Sequence, residues 1–135
     1  MRSLLILLNN MPYKNDKAYN ALRAAGVAAD RDTKVTVFLM GDSVYVARKN
    51  QSPAEGFPNL EEMVANLIEK NVDFLLCTTC VNARGFEPKE GEVSSCFVGS
   101  HGNGLTLGDF IEGAQLSTMK TFVNLVANND RAISF

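Results

Sequence analysis

The segment Phe74-Leu75-Leu76-Cys77-Thr78-Thr79-Cys80 places two cysteines at C-x-x-C spacing directly after a short apolar run, with Arg84-Gly85 a few residues on. A thiol attacks, or binds a metal, as its thiolate, and an unperturbed cysteine has a pKa of about 8.5. A helix N-terminus or a nearby cation lowers that value. If Cys80 begins a helical turn, Arg84 stands four residues on and can lie beside it. The pair therefore reads as a nucleophilic site that attacks or carries sulfur, biased toward its anion. The plainer reading makes Cys77 a small apolar core residue, since cysteine is among the most buried residue types.

Two other chemistries fit the same residues. C-x-x-C suggests a dithiol that exchanges with disulfides, although Thr78-Thr79 stands between the cysteines where proline is common. Cys77, Cys80, Cys96 and His101 give C-x2-C-x15-C-x4-H, four ligands of the types that close a tetrahedral zinc site. Against zinc, the first two would leave a strand rather than a knuckle turn. His101, the single histidine, reads as a solvated loop residue before it reads as a proton shuttle. Gly99 to Gly104 has the glycines of a phosphate loop but no lysine and no clear strand before it, so a nucleotide is not expected. Asn9, Asn10 and Asp42 follow the first two strands; turn chemistry accounts for them. No Ser/His/Asp set and no paired carboxylates stand out.

The elements that must hold the thiols alternate in type. Ser3 to Leu8, Lys34 to Met40 and Val72 to Cys77 are short β-branched or aliphatic runs that read as buried strands. Between the first two, Asn15 or Asp16 caps a helix with Ala18, Leu22, Ala25 and Ala29 on one face. Val44 to Ala47 suggests a short helix, and Asn50 to Pro58 a loop. Asn59 caps the next helix, with Leu60, Met63, Val64, Leu67 and Ile68 as its apolar stripe and Glu61 and Glu62 in its first turn. Phe86 to Gly104 is the least regular stretch, and Leu105 to Ile111 is ambiguous. Ser117 is expected to cap a last helix with Met119, Phe122, Val123 and Val126 turned inward. Arg131 to Phe135 suggests a closing strand. Strands alternating with helices imply βαβ units and a parallel sheet with helices on both faces, and sites in such sheets form beyond the carboxyl ends of the strands.

The 135 residues fit a single domain, 1–135, able to bury its own core. A net charge of −2 and 13 scattered basic residues give no electrostatic footprint for nucleic acid or an acidic membrane. The apolar run Leu4 to Leu8 is too short to span a bilayer or to form a signal-peptide core. A cytoplasmic protein is expected. Three cysteines, an odd number, cannot close into a disulfide framework, which leaves packing, metal binding or thiol chemistry.

The order of these motifs resembles the DsrE/DsrF-like family, which includes the TusD-type sulfur-relay subunits. The first strand and its loop, VFLMGDSVYVARKN, NQSPAEGF, LLCTTCVNARGF and the closing ANNDRAISF carry the likeness. In the relay members a carrier cysteine ends the strand and an R-G pair follows; Cys77 and Arg84-Gly85 match. Other members carry C-x-x-C before A-R-G, matched by Cys77, Cys80 and Ala83-Arg84-Gly85. The resemblance implies a three-layer α/β/α sandwich with a mostly parallel sheet of about five strands, and trimeric or hexameric assembly. It implies transfer of sulfane sulfur, as a persulfide on Cys77 or Cys80, between donor and acceptor proteins, without a cofactor. Cys80 could also resolve a persulfide on Cys77 as a disulfide, releasing sulfide. Turnover of a small substrate is not required by that role.

Overall fold

The computed structural model describes residues 1–87 and 105–135. Three strands run where the apolar stretches predict them: β1 (Ser3–Leu8), β2 (Lys34–Leu39) and β3 (Asp73–Cys77). Two short strands, β4 (Phe86–Glu87) and β5 (Leu105–Thr106), pair in parallel with each other. β6 (Gln115–Ser117) and β7 (Arg131–Ser134) complete the main sheet, which is five-stranded, in the order β6-β3-β2-β1-β7. Every pairing in that sheet is parallel.

Side chains alternate across a strand, so each strand feeds two layers. Leu4, Ile6, Leu8, Val35, Val37, Leu39, Phe74 and Leu76 face one core. That core is closed by Ala18, Ala21, Leu22 and Ala25 of α1 (Lys17–Ala29) and by Leu60, Val64 and Leu67 of α2 (Leu60–Glu69). Leu5, Phe38 and Cys77 face the other way, against Phe122 and Leu125 of α4 (Met119–Asn128). The expected α/β/α layering is present, with two helices on one face and α4 on the other.

Local chemistry sets the ends of the elements. Asn59 accepts the Glu62 N–H through its side chain, the cap its position predicts. Asp16 occupies the N-cap position of α1, but its side chain makes no cap bond; Asn15 Oδ1 accepts the Lys17 N–H at 2.9 Å instead. The buried face of α1 includes Ala21 and Ala28, and Ala29 is only partly covered at its rim. The short helix expected at Val44 to Ala47 is present as a 3-10 helix, Gly41–Ala47.

Two expectations need correction around the last helix. The cap of α4 is Thr118, whose side chain accepts the Thr121 N–H; Ser117 ends β6. β6 has only three residues, too few for a pattern of alternation to announce it. Of the four residues expected to turn inward, Phe122 does, its ring 5.0 Å from that of Phe38. Met119, Val123 and Val126 are 52%, 57% and 46% exposed. A helical stripe reports that one face is apolar; it does not report how much of that face the sheet covers.

Candidate functional site

Cys77 closes β3 and is at once the N-cap of α3 (Thr78–Ala83), so the strand passes into the helix with no loop between. The Cys77 Sγ accepts the Cys80 N–H at 3.4 Å, as a capping oxygen would. Thr78 donates its hydroxyl to the Ser117 carbonyl at 2.8 Å, which ties the start of α3 to the neighbouring β6. Gly85, at φ 83°, follows the C-cap Arg84, and its N–H reaches the Asn82 carbonyl at 3.0 Å. That left-handed glycine ends α3 where a side chain would resist the turn. Beyond it Phe86 is fully buried against Tyr45 and Phe110, with ring centroids 5.8 and 4.6 Å away. A rigid frame therefore holds both ends of the short helix.

The two sulfurs lie 2.7 Å apart, and both are free thiols. Their exposures differ. Cys77 is 6% exposed, walled by Leu5 and Phe38, with Leu75, Phe122 and Leu125 beside it. Cys80 is half-buried and reaches solvent. The expected bias toward the anion does not hold for Cys77: its thiol is pushed up from 9.0 to about 11. Burial among apolar side chains is the main cause, and the Cys80 thiol adds to it. The N–H groups of Cys80 and Thr79 pull the other way and do not offset it.

Arg84 lies close to Cys80, as the spacing predicts, but it meets the main chain. Its Nη1 donates to the Cys80 carbonyl at 3.0 Å. Its Nε and Nη2 donate to the Asp42 Oδ1 at 3.1 and 2.8 Å. Asp42, assigned to turn chemistry above, is thus the carboxylate partner of Arg84 across the carboxyl ends of β2 and β3. The signal was available: Asp42 and Cys77 both leave strands that run side by side and in parallel. Gly41, at φ 62°, brings its main chain close enough that a Cβ there would stand 3.9 Å from Arg84 Nη2. Cys96 and His101, the other two members of the zinc set, lie outside the described residues. Among the described residues no group of three or more His, Cys, Asp or Glu is placed to hold a metal.

A sequence model of the DsrE/DsrF-like family matches residues 2–135. The chain belongs to that family. It is 32% identical over 130 residues to an uncharacterized protein of Methanocaldococcus jannaschii, MJ0989, a match covering 96% of each chain. It is also 32% identical over 132 residues to an uncharacterized protein of Methanopyrus kandleri, MK0008, covering 98% of this chain and 93% of that one. The protein YchN of Escherichia coli K12 is 33% identical over 87 residues, 63% of this chain and 74% of YchN. The crystal structure of YchN superposes with a TM-score of 0.76 across the whole of both chains at 24% identity, which speaks to the shared fold. No helix among the described residues is long and apolar enough to cross a membrane.

Proposed function

We propose that this DsrE/DsrF-like protein carries sulfane sulfur as a cysteine persulfide on the Cys77–Cys80 pair. It takes the sulfur from a donor protein and passes it to an acceptor protein in the cytoplasm. One observation carries the reading: two free thiols in contact at the carboxyl end of β3, one buried and the other only partly so. Membership of a family of sulfur-relay type supports it. The exchange is thiol chemistry throughout. A thiolate attacks the outer sulfur of the donor's persulfide, the donor's S–S bond breaks, and the donor thiolate leaves.

Arg84 contributes by holding the main chain at Cys80. Its fork reaches the Cys80 carbonyl and the Asp42 carboxylate together, which an ammonium group could not do in the same geometry. The working unit is a homo-oligomer, a trimer or a hexamer. The exposed Met119, Val123 and Val126 of α4, beside an edge strand β7 exposed along its length, support a second copy as the cover for that face.

The test is intact-protein mass spectrometry after brief exposure of the reduced protein to an alkyl persulfide. A gain of one sulfur on Cys77 or Cys80, absent from the Cys77→Ser/Cys80→Ser double variant, is the expected result. A gain that survives in the double variant, or no gain in the wild type or in either single variant, removes the reading.

A further inference from the structure

The two thiols of the pair are not equivalent, and their difference implies a division of labour. Cys80 reaches solvent, whereas Cys77 is 6% exposed behind Leu5, Phe38 and the side chains of α4. A donor persulfide arriving from outside meets Cys80 first. The buried sulfur is nevertheless 2.7 Å from the exposed one, so whatever is built on Cys80 is already within reach of Cys77. A disulfide holds its sulfurs about 2.05 Å apart, and two sulfurs already in contact are within reach of that bond.

We propose that sulfur enters on Cys80 and that Cys77 discharges it as sulfide by closing a Cys77–Cys80 disulfide. The proposal rests on the persulfide reading of the same site and adds the fate of sulfur that no acceptor collects. In the first step the Cys80 thiolate, its proton lost to solvent, attacks the outer sulfur of an alkyl persulfide. The new Cys80 S–S bond forms as the donor's breaks, and the donor thiolate departs. In the second step the Cys77 Sγ attacks the Cys80 Sγ. The proton of Cys77 passes to the terminal sulfur, which leaves with the bonding pair as hydrosulfide. The two cysteines are oxidised to a disulfide and the sulfane sulfur is reduced to sulfide. An external thiol reductant resets the pair, two of its thiols ending as a disulfide.

The burial that keeps Cys77 protonated gives this discharge its delay. A thiol held up at about 11 is a weak nucleophile at neutral pH, so it attacks only once the neighbouring persulfide anion takes its proton. An acceptor docking in that interval collects the sulfur; otherwise the site clears itself. The attacking and resolving roles follow exposure here, not the order of the two cysteines in the sequence.

Reduced protein is mixed anaerobically with an alkyl persulfide, desalted, and followed by intact mass, peptide mapping and sulfide assay. In the wild type the gain of one sulfur on Cys80 appears first, then gives way to a loss of two hydrogens with about one sulfide per chain. Cys77→Ser and Cys77→Ala hold the gained sulfur at least tenfold longer and release little sulfide. Cys80→Ser loads at least tenfold more slowly. Mapping the trapped wild-type persulfide decides the order even if a variant at the buried position fails to fold. A persulfide mapped to Cys77, or one on the wild type that persists without sulfide release, overturns this proposal and leaves the carrier reading standing. No loading on any form removes both.

Discussion

At the residue scale the site turns on the contrast between two sulfurs three positions apart. Cys77 has its thiol raised because its surroundings are apolar and because the Cys80 thiol sits against it. The linkage to stability has a definite sign. The folded chain holds the Cys77 proton more tightly than the unfolded chain, so the contribution is whole below the ordinary thiol value of 9.0 and fades as pH rises toward 11. Its size is on the order of 3 kcal/mol. Urea unfolding of the wild type and Cys77→Ala should therefore show a constant difference below pH 9 and a shrinking one above it. Timed alkylation gives a second view: iodoacetamide labels Cys80 first at pH 7, and Cys77 only near pH 11 or on unfolding. Equal labelling of both thiols at pH 7 would contradict the burial argument. The Arg84–Asp42 bridge, with Asp42 58% exposed, adds little to stability; exposed pairs contribute about 0–1 kcal/mol. Its importance is in where it holds the Cys80 carbonyl.

At the scale of elements, the short helix α3 and the long face of α4 do different work. α3 has six residues and gains little from its own hydrogen bonds. It persists because Thr78 is tied to Ser117 and Gly85 closes it over the buried Phe86. α4 is the reverse case, a regular helix whose outer stripe Met119, Val123 and Val126 has no partner among the described residues. If a second copy covers it, Val123→Glu places a charge in that interface. Light scattering should then report a smaller assembly while the thermal midpoint of the separated chain moves by only a few degrees. An assembly unchanged in mass would move the interface elsewhere.

For the molecule as a whole, the chain steps from β1 to β2 to β3 to β6, then returns under α4 to lay β7 on the other side of β1. The return fixes which face α4 covers, and so which strand residues, Cys77 among them, lie beneath it. It also brings the first and last strands together. Asp130 accepts the N–H groups of Arg2 and Ser3 at 2.6 and 3.1 Å, and Ser3 accepts the Asp130 N–H in return. Those two N–H groups hold the Asp130 carboxyl below its usual 3.8. A lowered carboxylate stabilises above the unfolded value and loses its effect as pH falls. Asp130→Asn should melt below the wild type at pH 7, and the gap should close as pH drops beneath 3.8. A gap of constant width down to pH 2 would show that the ionised form is not what locks the strands.

The strands β1, β2 and β3, helices α1 and α2, and the Asn59 cap were legible in the chain because each depends on neighbours in sequence: alternation, helical period and local hydrogen bonding. The C-x-x-C pair and the Arg-Gly that ends its helix were legible for the same reason, as was the fold family, through the order of its motifs. β6 was not, since three residues carry no period, and the outward turn of α4 was not, since a stripe does not say what it faces. The depth of Cys77, the raised hold on its proton and the pairing of Arg84 with Asp42 were beyond any reading of spacing. Each arises from residues brought together across strands: Leu5, Phe38 and Phe122 around one sulfur, and the ends of β2 and β3 around one guanidinium. Sequence alone determined that one thiol ends a buried strand and that a second follows three residues on. Tertiary packing decided which of them meets solvent, because desolvation is set by neighbours distant along the chain.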